Sequence, residues 1–161
     1  MPATHLKEFL DSHNIKYVTT THSTAYTALE IASLAHVKGR ELAKTVIFKV
    51  DGELAMAVLP ASYHVDLDLL KAVAHGKHIA LAKETDFRDR FPDCEVGAEP
   101  PFGNLYGMGV FVDEGLTRDK EIAFSAGTHH ELIRLAYADF AKLVQPYVGN
   151  FSTSAEPALR L

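Results

Sequence analysis

The sequence predicts a mixed α/β fold, with a partly curled β-sheet surrounded by helices. Three observations support this. Two apolar runs flank Asp51-Gly52 and read as a hairpin. Helical and strand patterns interleave without strict alternation. The 161 residues, 47% hydrophobic and 23% charged, are enough for one globular domain with a sizeable core.

Thr4 can cap a first helix that puts Leu6, Phe9, Leu10 and His13 on one face and ends at Asn14. Ile15 to Thr20 reads as a strand and Thr21 to Tyr26 as a loop. Thr27-Ala28-Leu29-Glu30 is a capping box that opens a second helix, stopped by Gly39. The hairpin follows, because the type I′ turn that Asp-Gly favours needs positive φ at both central positions. A two-residue loop sets Val50 opposite Glu53, Phe48 opposite Ala55, Val46 opposite Ala57 and Lys44 opposite Leu59. Alternation then gathers Lys44, Val46, Phe48, Ala55, Ala57 and Leu59 on one face. Two readings of Lys44 are open: a lysine at the strand end that snorkels to water, or a cation at the rim of a pocket. The alanines are equally open, as the lining of a small pocket or as room for a closely packed helix.

Asp66 caps a third helix through Leu67, Leu70, Val73 and Ala74, closed by Gly76. Ile79 to Ala82 is a short strand, and Glu84 to Phe91 a short helix ended by Pro92. Between Gly97 and Gly103 lie two prolines and two glycines in seven residues, so this stretch is a stiff loop with glycine N–H groups available to a ligand. Strands resume at Gly109 to Asp113 and Lys120 to Ser125, and Ala126-Gly127-Thr128-His129-His130 is a second break. Glu131 to Ala136 is a strand and Tyr137 to Val144 a last helix, stopped by Pro146. The expected organisation is a single domain over 1–146 and a mobile tail over 147–161.

Several chemistries are disfavoured. The single cysteine, Cys94, excludes an internal disulfide and favours a reducing, cytoplasmic setting. Its acidic neighbours Asp93 and Glu95 would raise its pKa, so it is read as structural. A net charge of −5 argues against nonspecific nucleic-acid binding but leaves room for a local basic patch. No apolar run approaches a membrane span, and there is no signal-peptide pattern. No P-loop, dinucleotide-binding glycine fingerprint, His-Glu-x-x-His, Cys-x-x-Cys or Gly-x-Ser-x-Gly occurs. The nine histidines show no zinc spacing, so neither a metal nor another cofactor is expected.

Taken in order, His22…Tyr26-Thr27…Glu30, Ala43-Lys44-Thr45, Asp51-Gly52, the Gly-x-x-x-Pro element Gly97 to Pro101 with Phe102-Gly103, and Ala126-Gly127-Thr128-His129 span nearly the whole chain. Together they resemble the YbaK-type aminoacyl-tRNA editing domains, which also occur as an insertion in bacterial prolyl-tRNA synthetases. The resemblance implies an editing-domain fold and a free-standing deacylase that hydrolyses the ester of a mischarged tRNA. Its expected partner is the tRNA acceptor end, with an aminoacyl-tRNA synthetase as a second candidate, and neither DNA nor a membrane is expected. The resemblance also implies catalytic roles for Lys44, Gly97 and His129, and places His22, Tyr26, Thr45, Pro101, Phe102, Gly103, Gly127 and Thr128 around the substrate.

The chemistry can be argued separately. Ester hydrolysis develops negative charge on the carbonyl oxygen, which an ammonium and backbone N–H groups would stabilise. With no Ser-His-Asp or Cys-His arrangement evident, water is the expected nucleophile, aided by the vicinal hydroxyl of the terminal adenosine. Thr128 and His129 could hold the α-amino group, Tyr26 and Phe102 could wall the pocket or stack on adenine, and Lys38, Arg40 and Lys44 could meet the acceptor end. The edited amino acid stays open among small ones such as alanine, cysteine, serine and threonine. A noncatalytic module that binds an aminoacyl-adenosine or a nucleotide-like ligand is the alternative.

Overall fold

The structure, a computed structural model, describes residues 4–22 and 41–154. The expected second helix lies outside the described residues, as do Tyr26, Lys38 and Arg40. Helix α1 (Thr4–Ser12) turns Leu6 and Leu10 inward and ends before Asn14, which takes a left-handed φ of 58°. Strand β1 (Tyr17–Thr21) follows. Strands β2 (Ala43–Val50) and β3 (Glu53–Pro60) form the hairpin in the expected register, from Val50 opposite Glu53 to Lys44 opposite Leu59. Its turn has φ of 51° at Asp51 and 87° at Gly52, both positive as a type I′ turn requires.

Strand β4 (His64–Val65) leads into helix α2 (Leu67–Ala74), whose N-cap Asp66 accepts from the Leu69 N–H. The left-handed residue that ends α2 is His75, at φ 54°, rather than the expected Gly76. Strand β5 (Ile79–Leu81) is followed by α3 (Glu84–Phe87), which tightens into a 3₁₀ turn over Arg88–Arg90. Strands β6 (Gly109–Asp113), β7 (Glu121–Ser125) and β8 (Glu131–Ala136) and helix α4 (Tyr137–Val144) complete the expected elements.

Within the described part of the expected tail, 147–154, the chain forms two short strands, β9 (Tyr147–Gly149) and β10 (Ser152–Thr153). Strand β9 pairs parallel to β6 and β10 pairs antiparallel to β4, while Phe151 between them is fully buried. Asp113, itself buried, accepts from the Phe151 N–H at 3.1 Å and from the Gly115 N–H at 3.0 Å. Strands of two or three residues carry too little alternation to be read from sequence; one aromatic anchor and one buried carboxylate hold them.

Besides the two-stranded β10-β4 pair, one sheet has the order β5-β2-β3-β6-β9 and the other β1-β8-β7. They meet at a parallel bridge between Leu42 and Ala123, supported by the Ala123 N–H donating to Glu41 O at 2.9 Å. The main core lies where the sheets curl toward each other. It gathers Ala43, Ile47, Met56, Val58, Val110 and Val112 from one sheet, Ile122, Phe124, Ile133 and Leu135 from the other, and Leu6, Leu10 and Phe140 from the helices. A second core on the outer face of the five-stranded sheet joins Phe48, Ala55, Ala57 and Leu59 to Leu70 of α2 and to Phe151. The alanines therefore make room for a helix rather than lining a pocket.

Cys94 is half-buried against the main core, its Sγ 3.5 Å from both the Tyr106 hydroxyl and Asp93 Oδ1. Burial pushes its thiol up to about 12; the Tyr106 hydroxyl bond offsets part of this, and the Asp93 carboxylate adds to it. Two outcomes follow. At pH 8 about one thiol in 10⁴ is thiolate, so the native protein should resist a chromogenic disulfide reagent that labels it fast in denaturant; equal rates would mean an unpacked thiol. Ala57→Leu should overpack the α2 contact and lose about 1–3 kcal/mol in urea denaturation, whereas a pocket wall would tolerate the larger side chain.

Candidate functional site

Glu95-Val96-Gly97-Ala98 forms a β-turn closed by the Ala98 N–H donating to Glu95 O at 3.0 Å. Gly97 takes φ of 90° at the third position, which a type II turn reserves for glycine. There is also a reason of space, since a Cβ at Gly97 would stand 3.3 Å from His129 Cε1. The tip of the turn is exposed while Ala98 to Gly103 are buried, so a rigid root presents a solvent-facing end. Pro100 and Pro101 stiffen that root and remove two N–H donors that burial would otherwise leave to be satisfied.

The second glycine break zips onto this turn. The Glu95 N–H donates to Gly127 O at 2.7 Å, and the Gly127 N–H to Ala98 O at 2.9 Å. Gly127 makes the bend with φ of 94°, and the Ala126 N–H donating to Glu131 O at 3.0 Å closes the break. His129, buried, is held twice: its N–H donates to Glu95 Oε1 at 2.7 Å, and its Nε2–H donates to Val96 O at 2.8 Å. A carbonyl only accepts, so this contact puts the proton on Nε2. Thr128 Oγ1 accepts from the His130 N–H at 3.4 Å, which is the role of a turn cap. Beneath the break, the buried Glu131 is ion-paired with Lys7 of α1.

Glu99 is only 5% exposed, and its Oε2 accepts from the Gly97 N–H at 3.0 Å. Burial raises its carboxyl above the ordinary value, an effect only partly offset by the Gly97 N–H, by its own N–H and by nearby His129; Glu84 reinforces it. The folded state therefore holds this proton at a pH where the unfolded chain has released it. The contribution to stability is greatest below the ordinary carboxyl value and is lost as pH rises through the raised one.

Lys44 is half-buried, and strand alternation puts it on the outer face with Val46 and Phe48, directly opposite Leu59. From the Leu42–Ala123 bridge β2 and β7 run in the same direction, so Lys44 and Ser125 each stand two residues beyond it. Strand β7 then runs straight into Ala126-Gly127, which is bonded to the Gly97 turn. Register and hydrogen bonds thus gather the start of β2 and the two glycine breaks at one end of the joined sheets. His22 belongs to the same end, its N–H extending the β1–β8 ladder to His130 O at 2.8 Å.

Several expected contacts lie elsewhere. Phe102 is fully buried in the main core against Phe9, Phe124 and Phe140, so it offers no face to adenine. A Cβ at the buried Gly103 would meet Met108 O at 2.7 Å, and Pro101 is buried beside it, so these are packing residues. Alternation turns Thr45 to the face opposite Lys44. The Gly97 N–H, expected to be available to a ligand, is taken by Glu99. Glu95 and Glu99, which hold this turn, were missed by the sequence reading; their only signal is a pair of carboxylates bracketing a glycine turn. Among the described residues no three His, Cys, Asp or Glu side chains converge as metal ligands, and no helix is long and apolar enough to cross a membrane.

Comparison with known proteins identifies the family and the fold. The family described as the aminoacyl-tRNA editing domain matches residues 22–143. The chain is 30% identical over 131 residues to the Multifunctional Ser/Thr-tRNA deacylase ProXp-y of Escherichia coli (strain K12), covering 76% of this chain and 78% of that protein. The crystal structure of a proposed trans-editing enzyme for prolyl tRNA synthetase superposes with a TM-score of 0.80 at 20% identity, covering 94% of this chain and 96% of that one. A further crystal structure, of a hypothetical protein, superposes with a TM-score of 0.82 at 19% identity, covering 92% of this chain and 99% of that one. At these identities the structures speak for the fold, a mixed α/β editing-domain fold, and the sequence match decides the family: the chain belongs to the aminoacyl-tRNA editing domain family.

Proposed function

We propose that the protein is a trans-acting deacylase that hydrolyses the ester between a small amino acid and the terminal adenosine of a mischarged tRNA. The observation that carries this reading is the placement of Lys44, on the outer sheet face and two residues beyond the bridge to β7, the strand that leads into the Gly127 break. Family membership supplies the substrate class, and the name of the Escherichia coli relative favours serine and threonine among the small amino acids. The tRNA acceptor end is the proposed partner, with a synthetase as a second candidate and the cytoplasm as the setting.

The mechanism needs no acyl-enzyme. Cys94 is an unsuitable nucleophile, its thiol held up to about 12 and bonded to Tyr106. A water molecule, helped by the vicinal hydroxyl of the adenosine, attacks the ester carbonyl, and the Lys44 ammonium stabilises the charge that develops on oxygen. The interlocked turns around Gly97 and His129 fix the opposite side of the substrate. Gly97 contributes shape and close approach rather than a hydrogen bond, since its N–H is occupied by Glu99.

The deciding measurement incubates the protein with seryl-, threonyl-, alanyl- and cysteinyl-esters of noncognate tRNA and follows ester decay. At least one should decay faster than in buffer; decay of none would favour the binding-module reading. Lys44→Ala should lose about 10²–10³ in kcat while its circular dichroism stays native. Gly97→Ala should lose about 1 kcal/mol of stability from left-handed strain and lower turnover by displacing His129, whereas an unchanged kcat would remove Gly97 from the site.

A further inference from the structure

The Val96–Gly97 peptide is gripped at both ends. Its carbonyl receives the His129 Nε2–H at 2.8 Å, and its N–H donates to Glu99 Oε2 at 3.0 Å. The central amide of a β-turn usually meets water on both sides. Here a buried carboxylate and a buried imidazole sit on opposite ends of one polarisable amide. An acceptor oxygen on the N–H polarises the amide toward its carbonyl oxygen, making that oxygen a stronger acceptor for the ring, and most strongly so when the carboxyl is ionised.

We infer that Glu99 is a positioning residue for His129, acting through the Val96–Gly97 peptide to hold the imidazole in place as its Nε2–H tautomer. The ring's other nitrogen, Nδ1, is then the acceptor. This is the arrangement of a histidine oriented by a carboxylate, with one peptide unit inserted between them. A role in capping the turn alone does not call for an ionisable group. A neutral glutamine or serine would satisfy the Gly97 N–H without burying an ionisable group that the fold disfavours. The titratable groups that act on Glu99 are His129, which favours the ionised carboxyl only when the ring itself is protonated, and Glu84, which opposes it; Cys94 lies close enough to sense a charge there.

This inference rests on the deacylase reading for its consequence in turnover, but not for its effect on the ring. Glu99→Gln keeps an acceptor for the Gly97 N–H and removes the ionisable carboxyl. With seryl- and threonyl-tRNA as probes, its kcat should fall on the order of 10-fold to 100-fold with KM within about twofold and no loss of Tm. The ring ¹⁵N shifts of His129 should move from the Nε2–H pattern toward a mixture of tautomers. Glu99→Ala, which also strands the N–H, should lose more in both readouts, and Glu99→Asp should recover only part. An active parent protein whose Glu99→Gln variant keeps its kcat, or keeps the parent's ring pattern, would overturn the inference. If the parent cleaves neither ester, the deacylase reading fails for these substrates, and the ¹⁵N comparison alone decides whether Glu99 sets the tautomer.

Discussion

The register of the β2–β3 hairpin is the constraint on which the rest depends. Because side chains alternate along a strand, a slip of one residue would exchange the two faces of β2. Lys44 would then turn toward the main core and Ile47 toward the outer face. Two left-handed residues, Asp51 and Gly52, prevent this by admitting only a two-residue turn. Asp51 does more than turn the chain. Its Oδ1 accepts from the Lys77 and His78 N–H groups, and its own N–H donates to His78 O, tying the approach to β5 onto the hairpin tip.

How much could be read from the sequence varied with the length of the signal. The hairpin, β6, β8 and α4 were legible to the residue because apolar runs bounded by glycine, proline or aspartate leave few alternatives. Strands β9 and β10 were not, since their existence depends on pairing with distant strands. Gly97 and His129 stood out as a punctuated loop and a late glycine-bearing break, and the structure brings them together through the bonds of His129 to Glu95 and Val96, the residues just before Gly97. Phe102 stayed open between two readings because an aromatic beside two prolines looks alike in a pocket wall and in a core anchor; burial distinguishes the two, and burial is a tertiary property. The alanines of β3 were undecidable for the same reason until α2 was seen to lie on them.

Around the site, polar groups are spent on shape. Glu95 grips the His129 main chain, Glu99 the Gly97 amide, Thr128 the His130 amide, and Lys7 steadies Glu131 below. Most of these groups are partly or wholly removed from water, where a hydrogen bond is stronger and a missing partner costs more. Such a framework holds its geometry before any substrate arrives, which is what electrostatic stabilisation of a developing charge demands.

The bridge between Leu42 and Ala123 has a consequence for how this protein can be assayed. Lys44 is carried by one sheet and His129 by the segment between two strands of the other, so neither half of the architecture holds the proposed site by itself. Catalytic output is therefore an all-or-none reporter of complete folding. A preparation in which only one sheet has formed would keep much of its secondary-structure signal and be silent in turnover.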